Sequence, residues 1–128
     1  MIRLWLITFA CLVCARSFAA TYFVATNGLD INSGTSNSPF ATIMQAQTAA
    51  NAGDTVYLRG GTYFLNNSNF TTTNNPWAIV NNITKSGISY VACPGERPVF
   101  DFSAVKPDGY RVTAFHVTAS NCVFRGFD

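Results

Sequence analysis

The chain has 128 residues, of which 11% are charged and 48% hydrophobic, with eight Lys/Arg against six Asp/Glu and a mean hydropathy of +0.18. So few charges exclude a disordered tail or a nucleic-acid-binding arm. Their place is taken by 14 Thr and 12 Asn; Thr favours strands and Asn favours turns, so the composition reads as a β protein rich in polar turns. The length suits one small domain, but Cys122-Val-Phe-Arg-Gly-Phe-Asp128 reads as mid-strand, which points instead to the front piece of a longer fold.

Residues 1–19 read as a secretory signal. Arg3 supplies the positive start, Leu4 to Ala15 the apolar run, and Ser17-Phe18-Ala19 the small residues a signal peptidase inspects, with cleavage expected after Ala19. The run is shorter than the roughly 20 residues a membrane span needs, and Arg16 closes it. The expected location is therefore extracellular. Loss of Arg3 and Arg16 leaves six basic against six acidic residues, and a neutral chain has nothing to draw DNA or RNA. Cys11 and Cys14 leave as well, so they are not a redox or zinc motif. Cys93 and Cys122 remain, either as one disulfide in an oxidising compartment or as two unpaired thiols. The sequons at Asn66, Asn69 and Asn82 would mark exposed loops in a eukaryotic secreted protein and mean nothing in a bacterium.

In chain order, Thr21-Tyr-Phe-Val-Ala25 reads as a strand entering a polar turn around Asn27-Gly28, Asp30, Asn32 and Gly34. A helix follows, with Ser38 as N-cap, Pro39 in its first position and Phe40, Ile43, Met44 and Gln47 at helical spacing, ended by Asn51 and Gly53. Short strands come next at irregular intervals: 55–58, 61–64, 88–91, 98–102, 114–117 and 122–124. Alternation in several of them, such as Val56 with Leu58, buries one face. Without crossover helices they form either an antiparallel sandwich or a parallel solenoid. The helix ahead of them favours the solenoid, whose first coil needs a lid over its apolar end and free edge.

Three stretches, Tyr22-Phe-Val-Ala-Thr-Asn-Gly-Leu-Asp-Ile-Asn-Ser-Gly-Thr35, Ser38-Pro-Phe-Ala-Thr-Ile43 and Ala52-Gly-Asp-Thr-Val-Tyr-Leu-Arg-Gly-Gly-Thr-Tyr63, together with Cys93-Pro-Gly-Glu-Arg-Pro-Val-Phe-Asp101, carry a resemblance. Their order resembles the N-terminal cap and first coils of secreted right-handed parallel β-helix proteins, most closely pectate lyases of polysaccharide lyase family nine. The resemblance implies an all-β solenoid with a signal at 1–19, a cap at 20–53 and the first coils at 54–128. It also implies Ca²⁺-dependent β-elimination of polygalacturonate, in which a cluster of Asp holds the ion and a Lys of lowered pKa acts as base. Those residues lie on later coils of the family, so no catalytic or metal-binding residue carries over. A monomer acting on an acidic plant-type polysaccharide is expected, with the chain inactive alone. A non-catalytic, polysaccharide-binding or adhesive β-helix and a β-helix glycosidase are the alternatives.

The residues themselves offer few candidates. Asp30-Ile-Asn-Ser-Gly34 resembles the opening of a Ca²⁺ loop but has Ala41 where an EF-hand has its closing acid, so a polar turn is the better reading. Asp54 reads as turn chemistry and Arg59 as a surface or capping charge. His116, the only histidine, has no partner for a triad and reads as a surface or groove-lining residue. Asp101, Asp108 and Asp128, with Lys85, Lys106 and Arg111, are a thin supply for a Ca²⁺ site and read as solvated charges. Tyr57, Tyr63, Tyr90, Tyr110 and Trp77 could stack on sugars, although most alternate with core positions; Trp77, in the Asn74-Asn-Pro-Trp loop, is the foremost of them.

Overall fold

The structure is a computed structural model and describes residues 18–128; nearly all of the expected signal lies outside the described residues. Among the described residues, nine strands and one α-helix follow in the order β1 (Thr21–Val24), α1 (Ile43–Ala49), β2 (Thr55–Leu58), β3 (Gly61–Asn66), β4 (Thr72–Asn74), β5 (Trp77–Ile83), β6 (Ser89–Ala92), β7 (Pro98–Ala104), β8 (Arg111–Val117) and β9 (Val123–Arg125). They form three sheets, β1-β2-β6-β9, β3-β7 and β4-β5-β8, in which every pairing is parallel except β4 with β5. Parallel neighbours far apart in sequence make this a solenoid, as expected, and not a sandwich.

The intervals are not irregular. Thr21, Thr55, Ser89 and Val123 stand opposite one another along the first sheet, at the same 34-residue spacing that separates Asn82 from His116 and Ser86 from Ser120. Aromatic and branched side chains line up within that register. Tyr22, Val56, Tyr90 and Phe124 form one row and Phe23, Tyr57, Val91 and Arg125 the next. Tyr90 stacks on Phe124 with ring centroids 5.1 Å apart, and Phe23 on Tyr57 at 5.7 Å. A left-handed residue recurs ahead of three rungs, at Gly53 (φ 96°), Gly87 (φ 78°) and Asn121 (φ 55°). Glycine and asparagine are the residue types that enter this region at least cost. In the second sheet the spacing lengthens: Gly61 faces Pro98, as Arg59 faces Glu96 across 37 positions.

The cap differs from the sequence expectation. Helix α1 starts at Ile43, with Thr42 as N-cap accepting from the Gln45 N–H, and not at Ser38 and Pro39. The backbone of Phe40 is needed elsewhere. It lies parallel to Val24, donates to Phe23 O and accepts from Ala25 N, each at 2.9 Å, while Phe23 N donates to Gly34 O. Residues 34–40 thus occupy the free edge of β1, and the helix covers the apolar end of the coil with Ile43, Ala46, Gln47 and Ala50. Buried Gln47 completes the lid: its Nε2 donates to Asn82 O, and its Oε1 accepts from Thr84 N and Lys85 N. Lys85 Nζ donates to Thr48 O and Ala50 O, a cation on the carbonyl end of the helix. Asp54, buried, accepts from Ala20 N and Asn51 N, both at 2.7 Å, so it ties the start of β1 to the chain leaving α1.

Two strands escape the sequence reading. The stretch read as a loop around Trp77 is the β4–β5 hairpin, turning through a cis Asn75–Pro76 bond, and Trp77 opens β5. Consequently Asn82 lies within a strand and not in a loop, whereas Asn66 and Asn69 cap each other's backbone in a short 3₁₀ turn. Cys93 and Cys122 are both free. Cys122 is level with Ile88 and Cys93 lies about five residues further along the rung, roughly 16 Å away at a strand rise of about 3.3 Å per residue, beyond disulfide reach.

Two outcomes test this packing. Tyr90, fully buried, has a hydroxyl with no hydrogen-bond partner, so Tyr90→Phe is expected to raise the unfolding free energy by about 1 kcal/mol in urea titration. Gln47→Ala strands Asn82 O and two amide donors at the lid, and should cost about 2 kcal/mol in the same measurement.

Candidate functional site

The outward face of the β4-β5-β8 sheet gathers polar and aromatic side chains that the core does not use. Register pairs Trp77 with Arg111, Ile79 with Thr113 and Asn82 with His116, and β4 adds Asn74 beside Trp77. Period-two alternation alone does not sort this face: Ala78, Ile79 and Ile83 are all buried, and Asn82 and His116 have the opposite parity to Trp77 and Thr113. The Arg111 guanidinium lies over the Trp77 ring, 5.7 Å from its centroid, a cation–π geometry. His116 Nδ1 is 3.0 Å from Asn82 Oδ1. Asn74, Trp77, Ile79, Thr113 and His116 line a shallow recess of about 350 Å³. His116 is thus a groove-lining residue with an amide partner.

The other candidates are dispersed or already engaged. Asp30 accepts from the Ala41 and Thr42 N–H groups, each at 2.9 Å, and from the Thr42 hydroxyl at 2.8 Å. It is a tether between the polar loop and the helix start, reaching further than a local turn. Lys85 is committed to the helix carbonyls. Asp128 pairs with Arg97 at 2.7 Å, and Asp101 accepts from Ser103 N, which holds its carboxyl below the ordinary range. Of the tyrosines, Tyr63 and Tyr90 are core residues, Tyr57 is half-buried on Phe23, and Tyr110 is exposed. Among the described residues no three His, Cys, Asp or Glu side chains converge as metal ligands. With Asp30 saturated by protein donors, the residues present do not fit a Ca²⁺ cage, which needs six to eight oxygens.

Arg59 has a larger role than a surface charge. Its Nε donates to both Glu96 oxygens, at 2.9 and 3.0 Å, and Gly60 N donates to Glu96 Oε2 at 2.6 Å. The Arg59 hydrogen bond, then the Gly60 N–H, hold the Glu96 carboxyl below its ordinary value. The pair crosses from one coil to the next beside buried Cys93, whose thiol is pushed up by burial and by the nearby Glu96 charge.

A family model described as the Pel9A-like right-handed β-helix region matches residues 22–128. The chain belongs to this Pel9A-like β-helix family. A solved rhamnogalacturonan lyase is 43% identical, with a TM-score of 0.80 over 85% of this chain. The pectate lyase Pel9A is 32% identical, with a TM-score of 0.62 over 87%. This Pel9A-like chain spans 28% of the length of each of those two enzymes. No curated protein sequence matches it. The resemblance drawn from the cap and coil motifs is borne out for family and fold, and the relatives are polysaccharide lyases.

The Arg59–Glu96 pair gives a pH test. Because the folded carboxyl titrates below the ordinary 4.5, its stabilisation is complete above that value and is lost as pH falls through the lowered one. Glu96→Gln should therefore show a shallower fall in Tm than wild type between about pH 5 and about pH 2.

Proposed function

We propose that this chain is the N-terminal portion of a secreted polysaccharide lyase that cleaves pectin-type polymers by β-elimination. In this reading residues 1–19 are the export signal, 20–53 the cap and 54–128 the first coils of a longer solenoid. The observation that carries it is the 43% identity, over 85% of the chain, to a rhamnogalacturonan lyase. The Pel9A match supports the same class of chemistry. Rhamnogalacturonan and polygalacturonate both present galacturonate, so an acidic backbone is the shared substrate feature. The calcium dependence implied by the resemblance is proposed for the longer protein, and no catalytic step is assigned to a residue of this chain, whose candidate acids and bases are dispersed or engaged in holding the cap and coils together.

The assay follows the absorbance of unsaturated uronide from polygalacturonate and from rhamnogalacturonan with added Ca²⁺. The chain alone should release none, and a protein continuing beyond Asp128 should release it in a chelator-sensitive way. Chelator-sensitive turnover by the chain alone would place the reacting groups within these residues. Failure of the longer protein on both polymers would overturn the lyase reading.

A further inference from the structure

We infer that the outward face of the β4-β5-β8 sheet binds an acidic saccharide, with Trp77 as stacking platform and Arg111 as carboxylate partner. The inference rests on the polysaccharide reading above and assigns part of the recognition to this chain. Trp77 is 40% exposed although it is among the largest apolar side chains in the molecule. Its ring is held at the first residue of β5, between Asn74 on one strand and Arg111 on the other. A pyranose ring has an apolar C–H face suited to an indole, and a uronate adds a carboxylate at its edge.

Arg111 supplies the matching charge. Among the described residues the ion pairs are Arg59 with Glu96 and Arg97 with Asp128; the Arg111 side chain has neither an ion pair nor a hydrogen bond there. Its guanidinium carbon lies 5.7 Å from the Trp77 ring centroid, and a planar guanidinium free of protein acceptors grips a carboxylate through two parallel hydrogen bonds. No carboxylate lines the recess, so an incoming anion meets no repulsion from its walls. Thr113 and Asn74 offer hydroxyl and amide groups. With Asn82 Oδ1 accepting from His116 Nδ1, the other ring nitrogen is left as an acceptor for a sugar hydroxyl. The recess, about 350 Å³, lies at the lower end of small-ligand sites, which run from about 300 to 1,000 Å³. The register pairs run across coils, so a further coil would lengthen this row without covering it.

The test is calorimetric titration of the full chain with tetragalacturonate and with neutral cellotetraose, both in chelator so that calcium cannot bridge ligand and protein. Saturable binding of the acidic tetramer alone is expected, weakened about ten-fold or more by Trp77→Ala and by Arg111→Gln, and unchanged by Lys106→Gln. His116→Ala should weaken it less. Circular dichroism of each variant checks that the fold is kept, and Arg111→Lys, which keeps the charge but loses the planar fork, should recover only part of the affinity. Equal binding of the neutral tetramer, no binding of either, or full affinity in Arg111→Gln would overturn the inference. A longer protein that cleaves pectic polymer while this chain binds no tetragalacturonate leaves the lyase reading standing and removes only this site. Binding here without cleavage by the longer protein does the reverse.

Discussion

The hydrogen-bonded alignment of each coil on the next is the constraint from which the other features of this chain follow. A parallel rung has no closing hairpin, so its backbone groups are satisfied only if the chain returns in register after a full circuit. Here it returns with Thr55 beside Thr21, Ser89 beside Thr55 and Val123 beside Ser89. Where no earlier coil exists, something else must take that place. The loop at 34–40 pairs with the edge of β1, Gln47 serves the amides at the end of β5, and β4 pairs antiparallel with the outer edge of β5. These are three local solutions to one unsatisfied edge.

The same alignment separates stability from recognition. Inward rows become continuous stacks, ending in the aromatic group of Phe100, Phe115, Phe124 and Phe127. On the β4-β5-β8 sheet Trp77, Arg111 and His116 are spared from packing, so they stand on strands yet face solvent. Side chains presented this way are held more firmly than loop residues, which suits recognition of a stiff polymer. The carboxylates and cations that a sequence search would nominate for catalysis are instead used as fasteners: Asp30 and Asp54 in the cap, Lys85 at the helix end and Glu96 between coils.

Much of this was legible in the residues. Alternation located β2 and parts of β3, β6, β7, β8 and β9, and the need for a lid explained why a helix precedes them. Ser38-Pro39 is a strong capping signal for a helix start, and only the pairing of Phe40 with β1 overrides it. The β4–β5 hairpin is masked in the sequence because Asn74, Asn75 and Pro76 punctuate it and because β5 carries buried Asn81, whose amide donates to Ala114 O. The constant spacing was hidden by chemistry that varies at matched positions: Phe23, Tyr57, Val91 and Arg125 share a row but not a residue type. Trp77 could be singled out by composition alone, whereas Arg111 as its partner depends on register.

The departure from 34 to 37 positions in the second sheet shows how this architecture keeps time. Coil two passes from β2 to β3 through Arg59 and Gly60, then makes a long excursion through β4 before β5. Coil three takes the longer path early, from Cys93 to Arg97, and a shorter one before β8. The two differences cancel, so Trp77 and Arg111 meet at the original interval. Loop length on one corner is therefore a loan repaid at the next, and descendants of this sequence can reshape two corners together without shifting the phase of any rung that follows.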